Sequence, residues 1–306
     1  MSPRWLHRRG ELAEGPWESV VGDGLEGWSW TGLRVAELAA GAAPLTLPAG
    51  GLERLVVPLS GAFVLELEHA DGRHERLELH GRASVFAGPS DVAYLGVGTA
   101  ATLSGTGRVA VAEAPSDERH PSRRIAADEV PVELRGAGRS SRQVHNFGTP
   151  ETLAAGRFIV CEVITPSENW SSYPPHKHDE QRPGVESQLE EIYYFEAAVT
   201  RGAEAPSGAR PFGLFSTASS PAGEIEIDGR VGTGDIALVP FGYHGPAVAA
   251  PGYDLYYLNV MAGPGPERAW RISDDPAHAW VRHSWEGQDV DPRLPYLAPI
   301  TDGARE

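Results

Sequence analysis

Short apolar runs separated by glycine- and proline-rich turns recur along almost the whole chain, and this pattern constrains the fold more than any other feature. The 306 residues include 36 glycines and 26 prolines, and clear turn signals stand at residues 48–51, 71–72 and 88–90. Strands at this spacing are typical of antiparallel sandwiches or barrels. Residues 36–43 could form one helical turn, but no amphipathic helix of three turns is apparent. The sequence therefore predicts an all-β protein.

The predicted strands fall into two sets. The first set comprises residues 33–38, 52–59, 62–68, 75–79, 83–86, 93–97 and 108–112. The second set comprises residues 158–165, 191–197, 212–217, 224–227, 236–240, 248–250 and 255–261. Between them, residues 114–124 are rich in Pro, Ser, Asp, Arg and His, which is typical of a linker. Residues 81–90 and 234–242 also resemble each other, as in a weak internal repeat. We predict two tandem β-barrel domains, residues 1–120 and 121–306.

Charge and cysteine content exclude several classes of partner. Asp and Glu number 42 against 26 Lys and Arg, a net charge of −16 that repels a nucleic-acid backbone. No apolar run approaches the length of a membrane span, and residues 1–17 lack the apolar core of a signal peptide. Cys161, the only cysteine, lies in an apolar run typical of a buried strand. The expectation is a cytoplasmic protein with no nucleic-acid or membrane partner.

The strongest local signal for chemistry is the pair His176 and His178. Residues two apart in a strand face the same side, so both imidazoles would project together while Lys177 points away, out of the barrel. Imidazole suits zinc, iron, copper or nickel, and an added carboxylate widens the choice to manganese. On its own, however, this motif fits two unrelated surface histidines equally well.

Two further elements complete a possible metal site. Glu190 and Glu191 open an aromatic strand, where a buried acid needs a partner such as a metal, although a solvated hairpin end is the alternative. His244 follows a Pro-x-Gly turn and, taken alone, would more often be a structural hydrogen-bonding group. Two histidines on one strand, a glutamate on the next and a histidine after a turn rarely coincide by chance. Together they predict one four-ligand metal site in the second domain.

These elements resemble the two motifs of the cupin superfamily. Longer stretches at residues 88–94, 142–147, 171–179, 189–195, 251–263 and 280–282 are similar to the family of 5-deoxy-glucuronate isomerases, the aldose–ketose isomerases of bacterial myo-inositol breakdown. The resemblance covers nearly the whole chain and implies a bicupin, with two tandem antiparallel barrels of the jelly-roll type. The first domain contains no His-x-His motif, since His69, His74 and His80 are scattered, and we expect it to be structural.

Two departures from the general cupin pattern affect the ligand assignment. Residues 179–188 intervene before the acid, so that either Glu190 or Glu191 could be the ligand. Glu191 is favoured because it directly precedes the aromatic strand, as the superfamily glutamate does. Only one residue separates Gly242 from His244, where cupins usually have two, so the geometry of that hairpin is expected to differ.

The resemblance implies conversion of 5-deoxy-glucuronate to 2-deoxy-5-keto-gluconate, with one divalent metal as a Lewis acid; zinc is favoured, and manganese or iron are the alternatives. A base must move a proton between two carbons, and the candidates are Glu190 and Tyr243. The carboxylate of the small uronic acid substrate needs an arginine, Arg142 or Arg182, although each could equally be an ordinary surface residue. Lys177 is not expected to be catalytic. A homodimer is one candidate assembly.

Three rival functions share parts of this pattern. A uronate ketol-isomerase of pectin breakdown has the same fold and chemistry, but the insertion after His178 and residues 256–260 favour the inositol branch. A metal-dependent cupin oxygenase would use similar ligands and would consume oxygen. A sugar-binding bicupin without activity would be distinguished by the absence of turnover.

Overall fold

The computed structural model describes residues 4–297, and nearly all of the regular structure in that range is β-strand. The helical segments among these residues are short 3₁₀ turns at Val85–Ala87, Ala127–Glu129, Gly138–Ser140 and Ala279–Trp285. None of the described helices is long or apolar enough to cross a lipid bilayer. All strand pairings recorded between the named strands are antiparallel, so the prediction of an all-β antiparallel protein is confirmed.

Nine strands precede residue 126, and eight of them form one sheet. They are β1 (Leu6–His7), β2 (Ser19–Val21), β3 (Gly32–Leu38), β4 (Leu45–Leu47), β5 (Leu52–Glu68), β6 (His74–Arg82), β7 (Val92–Leu95), β8 (Ala100–Pro115) and β9 (Arg123–Ile125). The sheet runs in the order β2-β3-β8-β5-β7-β9, with β4 added on β8 and β6 on β5. We call the part of the molecule built on this sheet the first lobe.

Twelve further strands, together with β1, form the second lobe. They are β10 (Val132–Arg135), β11 (Arg142–Gly148), β12 (Ile159–Thr165), β13 (Trp170–Ser171), β14 (His176–Lys177), β15 (Glu190–Val199), β16 (Gly213–Ala218), β17 (Asp228–Val231), β18 (Ile236–Val239), β19 (Tyr243–Ala249), β20 (Tyr253–Ala262) and β21 (Ser273–Asp274). One sheet runs β1-β18-β15-β20-β12-β11-β10, and the other runs β17-β16-β19-β14-β21 with β13 on β19. The sheets face each other as a sandwich instead of closing into a continuous barrel. The division at residue 120 stays a prediction.

Several strand boundaries differ from those expected. Residues 52–59 and 62–68 form one long strand, β5, whose pairing with β8 shifts near Ser60. Gly61 follows with φ +82°, and a Cβ there would lie 1.9 Å from the carbonyl oxygen of Thr106, so only glycine permits this close approach. Residues 83–86, predicted as a strand, instead lead into a 3₁₀ turn because the Ser84 hydroxyl accepts a hydrogen bond from the amide of Phe86. Residues 224–227, also predicted as a strand, precede β17 and are not one. Residues 36–38, the start of the possible helical turn at 36–43, continue β3 instead.

The seven-stranded sheet has two faces with different neighbours, because side chains alternate along each strand. Tyr194 on β15 is fully buried in an apolar cluster that includes Tyr94 of the first lobe. The adjacent Tyr193 points the other way and packs in a second cluster with Phe215 on β16. One face therefore joins the lobes, while the other encloses the interior of the second lobe, where the predicted ligands lie.

A buried polar network also joins the lobes. The guanidinium of Arg82 donates two hydrogen bonds, of 2.6 and 2.7 Å, to the carboxylate of Glu162 on β12. The same carboxylate lies 2.6 Å from Nδ1 of His145 and accepts a 2.7 Å bond from the hydroxyl of Tyr256. Burial opposes ionisation of Glu162, but the charge and hydrogen bonds of Arg82 lower its pKa to about 2. The pair thus stays charged where it fixes β12 against the first lobe.

Candidate metal centre

Three histidine rings converge at one end of the second lobe. His176 on β14 is the register partner of His244 on β19, and His178 follows directly after β14 ends. The ring centroid of His244 lies 4.5 Å from that of His176 and 4.6 Å from that of His178. One ligand atom from each of the three side chains falls within 4.8 Å of the others. This buried triad can hold a metal ion.

Backbone carbonyls orient all three rings. The Nδ1 atoms of His176, His178 and His244 lie 3.3, 3.0 and 3.2 Å from the carbonyl oxygens of Pro174, Leu189 and Gly242, respectively. A carbonyl oxygen only accepts, so each contact is a hydrogen bond when Nδ1 carries the proton, and that tautomer leaves Nε2 as the atom that can bind a metal. Metal-binding histidines are typically held in this way by their second ring nitrogen.

Glu191 supplies a fourth donor. Its Oε2 lies 3.0 Å from Nε2 of His178 and 3.1 Å from Nε2 of His244. Two ligands at zinc-like distances from one tetrahedral ion are about 3.3 Å apart, so these separations are close to those of a ligand set. Burial opposes ionisation, but the facing imidazoles of His178 and His244 lower the pKa of Glu191 to about 2. Of the two adjacent glutamates, it is Glu191 that faces the histidines.

An unpartnered nitrogen supports the fit of a metal. Nε2 of His244 is fully buried and, within residues 4–297, has no hydrogen-bond partner, although Oε2 of Glu191 lies 3.1 Å away. Buried polar atoms without partners are rare in native proteins and call for an unseen water or ion. Burial and the neighbouring His244 and His178 also lower the pKa of His176 well below its usual value, which keeps that ring neutral. Neutral imidazoles are the form that binds metals.

The insertion at residues 179–188 is organised by buried charges. The Nζ atom of Lys177 lies 2.5 Å from Asp179 and 2.8 Å from Glu186, in a cluster away from the histidines. Glu186 also accepts hydrogen bonds from the amides of Asp179 and Glu180. Asp179 in turn accepts a 2.8 Å bond from the amide of Gly242. Lys177 and Asp179 thereby tie the segment carrying His176 and His178 to the turn that carries His244.

The turn before His244 requires glycine. Gly242 has φ +95°, and a Cβ at this position would lie 2.4 Å from Ile225 and 2.8 Å from the carbonyl oxygen of Ala218. Any other residue would push the turn away from β16 and move the His244 ring. The shorter Gly242-to-His244 spacing is thus accommodated by this tight turn.

A cavity of about 330 Å³ opens beside the ligands. Its wall includes His176, Glu191 and Arg142, three of the residues singled out in the sequence. Burial lowers the pKa of Arg142 to about 10, and no carboxylate in the described part of the chain forms an ion pair with it. The arginines Arg135 and Arg282, by contrast, are paired with Glu133 and Asp274. Arg142 is therefore the cavity cation whose charge is left for a ligand.

Three other predicted site residues lie outside this cavity, and their assigned roles are corrected here. Glu190 faces away from Glu191, and its carboxylate accepts hydrogen bonds from the backbone amides of residues 29–31 in the first lobe. Tyr243 precedes His244 on β19, so it faces the opposite side of the sheet. Arg182 bonds to Glu186 and Ser273 and is half exposed. None of the three lines the cavity that faces the ligands.

Several cavity residues were missed from the sequence. Tyr193 and Tyr257, with Asn259, line the wall from β15 and β20, and Trp270 closes one side. Counting every second residue from Glu191 places Tyr193 on the same face, so alternation could have identified it. Asn259 stands out as an amide inside an apolar run. Trp270 carried no signal, because it lies outside the strands.

Comparison with known proteins places this geometry in context. Residues 5–281 match the model of the KduI/IolB family. The chain is 37% identical to a 5-deoxy-glucuronate isomerase of Shouchella clausii over 235 residues, which are 76% of this chain and 80% of that one. It is 35% identical to one from Listeria monocytogenes over 258 residues, 83% of this chain and 88% of the other.

Solved structures agree with the sequence comparison. An IolB-like protein from Salmonella typhimurium LT2 superposes with a TM-score of 0.78 at 33% identity, over 90% of this chain and 98% of that chain. The oxalate decarboxylase of Lactobacillus farciminis superposes with a TM-score of 0.60 at 10% identity, over 88% of both chains, and this likeness concerns the fold alone. The predicted jelly-roll bicupin class is confirmed.

Proposed function

The chain belongs to the KduI/IolB family, and on that premise we propose that it is an aldose–ketose isomerase that converts 5-deoxy-glucuronate to 2-deoxy-5-keto-gluconate. One observation carries the proposal: a three-histidine, one-glutamate cluster shares a cavity with Arg142, which is half-buried and forms no ion pair in the described chain. A uronic acid has a carbonyl at one end and a carboxylate at the other. The cavity offers a group suited to each end.

We propose that His176, His178, Glu191 and His244 hold one divalent metal, with zinc as the first choice and manganese or iron as alternatives. Bound there, the ion would act as a Lewis acid that stabilises negative charge on the carbonyl and neighbouring hydroxyl oxygens during proton transfer. The donor set of three imidazoles and one carboxylate suits any of these metals. The assignment is supported by the orphaned Nε2 of His244.

The residues of the chain would orient the substrate and exclude water. Arg142 would bind the carboxylate with two parallel hydrogen bonds, which fixes the chain direction in the cavity. Burial keeps the pKa of Tyr193 well above 10, so its hydroxyl stays protonated, and its contact of 3.0 Å with the Ser172 hydroxyl helps to fix the cavity wall. Because Glu190 and Tyr243 face elsewhere, neither is retained as the base that takes the proton from C2.

The cellular setting is also proposed. The single cysteine, Cys161, is fully buried, so no intrachain disulfide supports an exported protein, and we propose that the enzyme acts in the cytoplasm. We expect a small uronic acid as its ligand and neither nucleic acid nor membrane as a partner. The homodimer stays a prediction.

A direct assay tests the function. Purified protein, reconstituted with zinc, would be incubated with 5-deoxy-glucuronate under nitrogen while ketone formation is followed by carbon NMR. We expect conversion that a chelator abolishes and added divalent ion restores. Absence of conversion with metal bound in stoichiometric amount would reject this substrate, and other uronates and oxygen uptake would then be tested.

A further inference from the structure

Asn259 is the buried side chain of the cavity wall with the least explained environment. It lies in the middle of β20, in an otherwise apolar run, and only 3% of its surface is exposed. Its Nδ2 atom has no hydrogen-bond partner among residues 4–297. Burying an amide without a partner costs free energy, and packing alone would favour an apolar residue of similar size at this position. The amide therefore needs a function.

Several neighbouring polar side chains of the wall are already engaged, although the indole nitrogen of Trp270 also lacks a partner in the described chain. The hydroxyl of Tyr193 is 3.0 Å from that of Ser172. Arg135 and Arg282 form ion pairs within the protein. Asn259 resembles Arg142 instead, since the buried Nδ2 of Asn259 has no partner in the described chain and the half-buried Arg142 forms no ion pair there.

Strand register places Asn259 between the two ends of the proposed substrate. Asn259 pairs with Tyr193, and Met261, two residues further along β20, pairs with Glu191 at the metal ligands. Moving along β20 in the other direction, Tyr257 pairs with Val163, which in turn pairs with Val144 on β11.

Arg142 lies two residues beyond Val144 on β11, on the same face. The order along the inner face is therefore metal ligands, Asn259, Tyr257 and Arg142. An acyclic uronic acid with its carbonyl at the ligands and its carboxylate at Arg142 would pass Asn259 with the middle of its chain.

We propose that Asn259 is a specificity residue whose side-chain amide hydrogen-bonds a hydroxyl group on C3 or C4 of the substrate. This inference rests on the proposed function and adds to it the recognition of the middle of the sugar chain. A hydroxyl can accept from the amide nitrogen and donate to the amide oxygen, so it pairs with either orientation of the side chain. A methylene group at the same position would leave the amide unpaired, and sites built to bind a hydroxyl reject such analogues.

The test compares two proteins on three substrates. Wild-type enzyme and Asn259→Leu, both loaded with zinc, would be assayed with 5-deoxy-glucuronate and with its analogues lacking the C3 or the C4 hydroxyl. We expect Asn259→Leu to lower kcat/KM for the parent substrate about tenfold or more, and the wild type to lose a similar factor on one analogue. On that analogue the kcat/KM values of the wild type and Asn259→Leu should differ by less than about threefold, because the hydrogen bond that the variant loses is the one that the analogue cannot form.

Controls separate recognition from folding. Zinc content and melting temperature of Asn259→Leu should match those of the wild type, and Asn259→Ala provides a smaller replacement with the same expected pattern if leucine does not fit. Asn146→Leu is a matched control, because its buried amide oxygen also lacks a partner in the described chain but lies outside the metal cavity. Asn146→Leu should retain the wild-type preference for the parent substrate.

The outcomes distinguish this inference from the proposed function. If the wild type isomerises 5-deoxy-glucuronate but the metal-loaded Asn259 variants keep its kcat/KM on all substrates, the role of Asn259 is wrong and the isomerase stands. A loss of the same factor on every substrate would also reject it, since that pattern indicates disturbed packing. If the wild type shows no turnover, the function and this inference fail together.

Discussion

The two lobes are built from similar antiparallel sheets, but they differ in how their buried polar groups are satisfied. In the first lobe, the buried carboxylate of Glu113 accepts hydrogen bonds from Arg34 at 3.0 Å and from Arg54 at 2.7 Å. The second lobe contains all five buried side-chain polar atoms that lack a partner in the described chain. They belong to Asn146, His244, Asn259, Trp270 and Trp285.

The difference shows where the fold can accept a ligand. The interior of the first lobe is filled with apolar side chains such as Phe63, Leu65 and Leu103, each at most 1% exposed. In the described residues, the one cluster of three metal-binding side chains found lies in the second lobe. A lobe whose polar groups satisfy one another is a stable support, whereas three of the five unpaired groups in the other lobe lie in the histidine cluster or in the wall of the cavity beside it, those of His244, Asn259 and Trp270.

The largest expected effect is on the ligand cluster. His244→Ala should abolish stoichiometric zinc binding and lower kcat by about 10³-fold or more, because the Lewis acid would be lost or misplaced. Metal analysis and the NMR assay measure both quantities. His80→Ala in the first lobe, where the histidine is exposed, is the control and should keep both. Full zinc occupancy in His244→Ala would contradict the ligand assignment.

The second effect concerns the junction of the lobes. Glu162→Gln removes the negative charge that Arg82 faces in a fully buried pair, which should lower the free energy of unfolding by about 3–5 kcal/mol. Urea denaturation measures this change. The matched control is Glu66→Gln, which breaks an exposed pair with Arg76 and should cost less than about 1 kcal/mol. Equal losses in the two variants would show that the buried pair does not hold the lobes together.

The sequence predicted the cluster of histidines and glutamate better than the rest of the site, for a physical reason. His176, His178, Glu191 and His244 lie on or beside strands, where alternation and turn residues determine which way side chains point. Glu190 and Glu191 differ by one position, and only the strand face separates a residue bound to the first lobe from one at the cluster. Choosing Glu191 over Glu190 required knowing where the aromatic strand begins, and the aromatic run in the sequence shows this.

The remaining site residues depended on contacts between distant segments. Arg142 and Arg182 are equally plausible in the sequence. Glu186 lies only four residues from Arg182, but outside a helix this spacing does not predict an ion pair, and nothing near Arg142 shows that it stays unpaired. The loop that Glu190 binds is about 160 residues away in the chain. Strand breaks at residues 83–86 and 224–227 were likewise missed, because apolar composition does not show where ladder pairing stops.

A third test removes the charge of Arg142, which forms no ion pair in the described chain. Arg142→Met should lower kcat/KM about tenfold to 100-fold, mainly by raising KM, because the substrate carboxylate would lose its charged hydrogen bonds. Arg182→Met is the matched control, and its kcat/KM should stay within about threefold because its guanidinium bonds to Glu186 and Ser273, outside the cavity. If Arg182→Met were the more damaging change, the carboxylate would bind elsewhere.

The smallest effect tests whether a closed polar cluster in the second lobe behaves like those of the first. Glu186→Gln weakens the hydrogen bonds from Lys177 and from the amides of Asp179 and Glu180, which should lower the free energy of unfolding by about 1–2 kcal/mol at pH 7. Glu180→Gln, at a half-exposed partner of Lys177, is the control and should have little effect.

The stabilising effect of the Glu186 carboxylate should depend on pH. Burial opposes ionisation of Glu186, but hydrogen bonds, first from Lys177, lower its pKa from 4.5 to about 2. The folded state therefore gains stability from this carboxylate above pH 4.5, and the gain disappears as the pH falls towards 2. The difference between wild type and Glu186→Gln should shrink over that range in urea titrations. If the difference in the free energy of unfolding stayed constant with pH, the Glu186 charge would not stabilise the insertion. The insertion of the second lobe would then be held by packing, unlike the paired charges of the first lobe.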